Sequence, residues 1–190
     1  MNAEIDVSQV TLKTERLILR PWRQEDLDDL FEYASVPEIG EMAGWPPHTT
    51  KGGSQWVLNM FINEKKTFAL EYNGKAIGSL GIEFYNEERF PELKEKKCRE
   101  IGYALSKDYW GRGLMPEAVG EVIRYLFEEV GLDVIVCGHF LSNGQSARVQ
   151  EKLGFKHHSF GQFELRDGST KIDDEANTLT REDWEKRNQN

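Results

Sequence analysis

The chain has 190 residues, 33 of them acidic and 24 basic, for a net charge of −9. At roughly 100–200 residues per domain this is one domain, and the acidic balance argues against a broad nucleic-acid surface, which draws its affinity from clustered Lys and Arg. Ten Phe, six Tyr and five Trp exclude a disordered chain.

In chain order, LILRPW (17–22) reads as a short strand halted by Pro21. Residues 25–35 carry Leu27, Leu30, Phe31 and Ala34 at helical spacing. A Pro-rich loop, GWPPHTT (44–50), leads to a second helix over 54–64, with Trp56, Met60 and Ile62 as its apolar stripe. Thr67–Tyr72 and Ala76–Phe84 are strands joined by Asn73-Gly74, a strong hairpin signal. The charged run 85–97 reads as an exposed connection. Residues 98–105 form a strand, SKDYWGRGLM a loop, and Pro116–Val130 a helix ended by Gly131. Val134–Leu141 is a buried strand, Asn143–Leu153 a helix closed by Gly154, and 155–165 and 172–179 two further strands. Thr180-Arg181-Glu182-Asp183 resembles a capping box that opens a last short helix. This order gives a mixed α/β sheet with helices on both faces.

Cys98 and Cys137 form no CxxC pair, so neither a disulfide framework nor a zinc site is expected. The first fifteen residues hold no apolar run, and the longest one anywhere is Val134–Cys137. We therefore expect a cytoplasmic protein with no membrane partner, no nucleic-acid partner and no metal. His157-His158 are adjacent strand residues facing opposite sides, a poor arrangement for chelating one metal.

The strand–glycine turn–helix at 98–130 carries the chemistry. A helix start offers unpaired N–H donors and partial positive charge, where an anion is stabilised. Gly111 and Gly113 permit positive φ and close approach of a phosphate, Arg112 adds charge, and Pro116 suits a first turn. The loop alone reads equally well as a plain turn into a helix. It is neither a Walker loop nor a dinucleotide fingerprint.

Three stretches together resemble the GCN5-related N-acetyltransferase superfamily, most closely the branch of ribosomal-protein N-terminal alanine acetyltransferases. They are TERLILRPWRQEDLDDLFE (14–32), REIGYALSKDYWGRGLMPEAV (99–119) and NGQSARVQEKLGF (143–155). The resemblance implies one N-acetyltransferase domain over 1–190 with its core at about 10–187. Its fold would be a mostly antiparallel twisted sheet of six or seven strands, splayed between the fourth and fifth. It also implies acetyl-CoA as cosubstrate, without metal. The pyrophosphate would sit on the loop Trp110, Gly111, Arg112, Gly113, Leu114 and Met115, where Met115 replaces the family's usual small residue. The pantetheine arm would run along Tyr103, Ala104 and Leu105, with Asn143 and Ser146 near the sulfur.

Glu100 is the expected general base and Ser146 the acid for the leaving thiolate. Glu100 pairing with Arg99, and Ser146 merely serving the helix cap, are the competing readings. Trp45, Glu83 and Tyr85 are expected near the acceptor, with packing beneath the loop as the other reading of Trp45. Asp173 and Asp174 suit either a cationic acceptor or an exposed strand. The reaction expected is acetyl transfer to a primary amine by direct attack in a ternary complex. The acceptor is a protein N-terminus or a small molecule such as a polyamine or aminoglycoside. A non-catalytic acyl-CoA-binding module is the alternative. The resemblance also allows a homodimer through a strand edge.

Overall fold

A computed structural model of the chain describes residues 1–164 and 170–189. Among the described residues, eight strands and five α-helices follow the order read from the sequence, with one extra strand at the start. The strands are β1 (Leu12–Lys13), β2 (Ile18–Pro21), β3 (Thr67–Tyr72), β4 (Lys75–Glu83), β5 (Cys98–Leu105), β6 (Val134–Phe140), β7 (Lys156–Glu164) and β8 (Lys171–Thr180). The helices are α1 (Leu27–Ala34), α2 (Lys51–Glu64), α3 (Leu114–Tyr125), α4 (Gly144–Leu153) and α5 (Arg181–Asn188). Strand order is β1-β2-β3-β4-β5-β6-β8-β7, mostly antiparallel, with β5 and β6 parallel. The eighth strand beyond the seven expected is β1, whose two residues are too short to show alternation. The strand expected to end at 165 is seen to Glu164, and its last residue lies outside the described ones.

The chain forms two compact units: Ile5–Gly81 with Tyr103–Glu121, and Met1–Glu4 with Ile82–Gly102 and the chain from Val122 onward. In the first, β2, β3 and the first part of β4 pair antiparallel. Asn73 and Gly74 take φ of 50° and 82°, as the tight hairpin requires. Trp22, Leu30, Tyr33, Leu58 and Ala69 form its core. Arg20, only 4% exposed, grips Asp26 through two 2.8 Å hydrogen bonds and also donates to Glu71. This bidentate pairing answers the charge that burial would otherwise penalise.

Helix α2 corrects the expected apolar stripe. Ser54 and Leu58 are its buried residues, while Trp56 is 63% exposed. The helix starts at Lys51 under a Thr50 cap, and two residues turn it by about 200°, so Trp56 and Leu58 face opposite ways.

In the second unit, β6 and β8 pair from Val134↔Thr180 to Phe140↔Asp174, and β7 adds to β8. A bulge between His157 and Ser159 gives β7 one surplus residue, His158. The segment 85–97 departs from the exposed connection expected. Tyr85 and Phe90 are 2% and 1% exposed and share a core with Cys98, Val134, Val136 and Ala176. The charged neighbours of these two aromatics mask them in the sequence.

Gly78 lies against the backbone of β5: an added Cβ would fall 2.4 Å from the Ala104 carbonyl oxygen. Gly78→Ala must therefore force the strands apart. We expect destabilisation of about 1–3 kcal/mol, read as a lower midpoint in urea denaturation.

Candidate active site

The loop that follows β5 is the expected pyrophosphate loop, and its backbone is held by specific contacts. Trp110 is extended at its backbone, and its indole Nε1 donates to the Leu105 carbonyl at 2.8 Å, tying the loop to the strand end. Gly111 and Gly113 hold φ of 74° and 75°, a region other residues enter only under strain. Both glycines and Arg112 are exposed. An added Cβ at Gly111 would meet nothing within 4 Å, so conformation rather than crowding calls for glycine there. Helix α3 starts at Leu114, placing Pro116 inside its first turn, where a missing N–H costs little. The side chains of Leu114 and Met115 are 1% and 7% exposed. Met115 therefore fills core rather than the open side of the loop, and a large residue is accommodated where a small one is usual.

Glu117 secures the helix start. Its carboxylate accepts from the Thr14 hydroxyl, the Arg16 backbone and the Arg16 guanidinium. Burial works against its charge, but these donors outweigh it and hold the carboxyl below its ordinary range. Arg16 also donates to the Arg112 carbonyl at 2.9 Å. Arg112 turns its guanidinium over the Tyr109 ring and donates to the Asp108 carbonyl.

On β5, Tyr103 is half-buried and Ala104 and Leu105 are buried. Upstream on the same strand, β5 and β6 pair at Cys98↔Val134, Arg99↔Ile135 and Glu100↔Val136. The ladder ends there, although β5 continues to Leu105 and β6 to Phe140. Glu100 stands at the rung where the parallel strands part, which is the splay expected between the fourth and fifth strands of the sequence reading. The residue keeps some exposure, yet its carboxyl is densely surrounded. Burial is the main cause that pushes it up to about 7, with Arg89 opposing and Asp174 and Glu83 adding to the rise. An added Cβ at Gly138 would lie 3.7 Å from Glu100 Oε1, so the carboxylate rests over that glycine. Arg99 takes a different environment: it donates to the Ala3 carbonyl and lies 4.2 Å from the Phe84 ring centroid.

Asn143 caps α4, its side chain accepting from the Ser146 N–H at 3.1 Å. Ser146 Oγ accepts from Gln150 Nε2 at 3.2 Å. Gln150, 2% exposed, also donates to the Gly138 carbonyl and accepts from Asn177.

The expected acceptor residues divide. Glu83 is half-buried at the end of β4. Trp45 is half-buried and packs on the core of its unit; its ring lies against Gly40 and 5.4 Å from that of His48. Tyr85 is corrected to a core residue, its hydroxyl donating to the Leu93 carbonyl at 3.2 Å. Asp174 is likewise no exposed strand residue, being 8% exposed. His139 and His157 both approach Glu175, and His158 meets Glu92 at 2.8 Å. Among the described residues, no group of three or more His, Cys, Asp or Glu is arranged to hold a metal. No helix among them is long and apolar enough to cross a membrane.

The acetyltransferase (GNAT) domain family matches residues 16–156. The chain belongs to the GNAT acetyltransferases. It is 30% identical to the uncharacterized N-acetyltransferase YoaA of Bacillus subtilis, over 76% of this chain and 82% of that one. It is 29% identical to the [ribosomal protein uS5]-alanine N-acetyltransferase of Escherichia coli, over 94% and 95% of the two chains. A microcin self-immunity acetyltransferase solved with acetyl-CoA and AMP shares its fold at a TM-score of 0.74 and 16% identity, covering 93% of this chain and 99% of that one. This GNAT protein is accordingly an acyltransferase.

Arg89 and Gln150 escaped the sequence reading. Arg89 sits in a charged run and meets its partner Asp174 85 positions away, and Gln150 is an ordinary helix residue until its strand neighbours are known. The raised carboxyl of Glu100 makes a prediction for stability. Its folded-state value exceeds the unfolded one, so the stabilisation is full below the ordinary carboxylate range and is lost as pH rises through about 7. Glu100→Gln removes that loss. Thermal melts between pH 5 and 9 should show the variant gaining on the natural protein as pH rises.

Proposed function

We propose that the chain transfers the acetyl group of acetyl-CoA to the α-amine of a protein N-terminus, by direct attack within a ternary complex. The observation that carries this reading is a carboxyl group poised near neutrality on the strand that leads into a loop with two left-handed glycines. We further propose that the whole chain acts as one catalytic domain, core about 10–187, in the cytoplasm.

In this reading, N–H groups from Gly111 to Met115 hold the pyrophosphate, helped by the start of α3. Arg112 adds charge at the rim. Backbone groups of Tyr103, Ala104 and Leu105 hold the pantetheine arm, and one amide there receives the oxyanion that develops during attack. Glu83 and Trp45 border the acceptor.

An α-amine with a pKa near 8 is neutral in about one molecule in ten at pH 7. Glu100, ionised, takes the surplus proton as the nitrogen attacks the acetyl carbon. The new N–C bond forms and the C–S bond breaks. Ser146 gives a proton to the departing sulfur and regains one from solvent, while Glu100 returns its own. A base titrating near 7 matches an α-amine better than a lysine-like amine, which is neutral only about once in a few thousand molecules. The name of the Escherichia coli relative, an alanine N-acetyltransferase of a ribosomal protein, supports the same acceptor class.

Glu100→Gln should lower kcat at pH 7 by about a hundredfold, measured by thiol release, and the deficit should shrink toward high pH as the amine deprotonates unaided. An unchanged rate would remove Glu100 as the base. Gly113→Val should abolish the heat of coenzyme A binding in calorimetry, because a β-branched residue resists positive φ. Mass spectrometry of a peptide and polyamine panel should place the acetyl group on peptide α-amines. Acetylation confined to polyamines would overturn the acceptor assignment.

A further inference from the structure

The segment between β4 and β5 brings a cation onto the face that carries Glu100. Residues on one face of a sheet recur at every second position, and cross-strand partners share a face. The pairs Glu100↔Val136, Gly138↔Ala176 and Phe140↔Asp174 therefore set Glu100, Gly138 and Asp174 on one face. Ser159↔Ala176 and Gly161↔Asp174 add Ser159 and Gly161. Phe90 anchors the overlying segment on this face as a member of the buried cluster that includes Cys98, Val136 and Ala176.

Arg89, next to Phe90, reaches down to Asp174. Its Nη1 lies 2.7 Å from Asp174 Oδ2, its Nε donates to Ser159 Oγ at 3.3 Å, and its Nη2 donates to the Ser159 carbonyl at 3.2 Å. Gly161 makes room for the pair: an added Cβ there would fall 2.9 Å from Arg89 Nη2 and 3.0 Å from Asp174 Oδ1. Asp174 Oδ1 is buried and accepts no hydrogen bond among the described residues.

We propose that Arg89 and Asp174 are positioning residues that set the protonation state of Glu100, with Arg89 neutralising a buried carboxylate that would otherwise keep the base protonated. This rests on the reading of Glu100 as the base. Two carboxylates on one face of low dielectric cannot both ionise freely, and a guanidinium paired with one of them relieves the conflict. The charged or titratable groups around Glu100 are Arg89, Asp174 and Glu83, with Cys98 two residues away on its strand and the His158–Glu92 pair on the flanking segment. Arg89 acts on the Glu100 carboxyl in the opposite sense to Asp174 and Glu83.

Opposite electrostatic roles give opposite signatures. Protein labelled with 13C at the Glu carboxyl carbons is titrated by NMR, and Glu100→Gln identifies the resonance by its loss. Asp174→Asn should lower the Glu100 midpoint and Arg89→Gln should raise it, each by about one pH unit. Arg89→Lys should stay near the natural value, and the acidic limb of kcat/KM should follow the same order. A purely structural role would admit water in both single variants and move both midpoints the same way; that result, or unmoved midpoints, overturns the proposal. If a single variant fails to fold, the double variant Arg89→Gln/Asp174→Asn decides. It leaves no unpaired charge, and its midpoint should lie near the natural one; a displacement of about one pH unit or more would overturn the pair's role. Should the opposite shifts appear while Glu100→Gln keeps full kcat, the coupling stands and the assignment of Glu100 as base falls.

Discussion

A carboxyl group withheld from water where two parallel strands separate is the constraint on which this molecule turns. Glu100 is held over Gly138 at the last rung of a three-rung ladder, and burial is the main cause that takes it toward neutrality. Asp174 and Glu83 add to the rise, while other neighbours accommodate the group. Gly138 supplies the space, the 85–97 segment supplies apolar cover through Tyr85 and Phe90, and Arg89 supplies the compensating charge. A carboxylate left in water would titrate some units lower and be a weaker base at physiological pH. The cost of the arrangement falls on stability above neutrality.

The anion loop obeys a different logic, in which backbone rather than side chains does the work. Two glycines in the left-handed region, an indole clasping the end of β5 and a glutamate fastening the helix start together fix where its N–H groups point. None of the fastening residues offers a specific side chain to a ligand. In the proposed reading such a loop selects the shape and charge of a diphosphate and is indifferent to what hangs from it. In the same proposed reading, discrimination between acceptors comes from elsewhere in the chain, and the segments 40–55 and 85–97 are the candidates.

Much of this was legible in the sequence because local rules and the fold agree. Asn73-Gly74 dictates a tight hairpin wherever it stands between alternating strands, and Gly111 and Gly113 announce a turn that few other residues can make. The reading failed where a local average hid a minority of residues. In 85–97 the charges outnumber two aromatics, yet the aromatics decide that the segment is packed, and with them Tyr85 passes from the acceptor side to the core. In α2 the bulk of Trp56 drew the stripe to the wrong side, since size is visible in a sequence and the phase of a helix is fixed only by its cap at Thr50. The ion pairs Arg20–Glu71 and Arg89–Asp174 join partners 51 and 85 positions apart, and no single stretch of sequence records them.

The surplus residue in β7 has a consequence for how this sequence tolerates changes in length. Because His158 is counted out of the pairing with β8, Ser159 and Gly161 arrive on the side of the sheet where Arg89 needs a carbonyl and a gap, and His158 itself is handed to Phe90, with ring centroids 4.4 Å apart. Removing the surplus residue would leave Ser159 opposite Ala176 and Gly161 opposite Asp174, whereas removing a paired residue beyond it would exchange inward for outward along the rest of the strand, much as a deleted letter shifts a reading frame. The pairing of β7 with β8 thus has a parity as well as a composition, and its bulge is a place where a single residue can be lost without changing that parity.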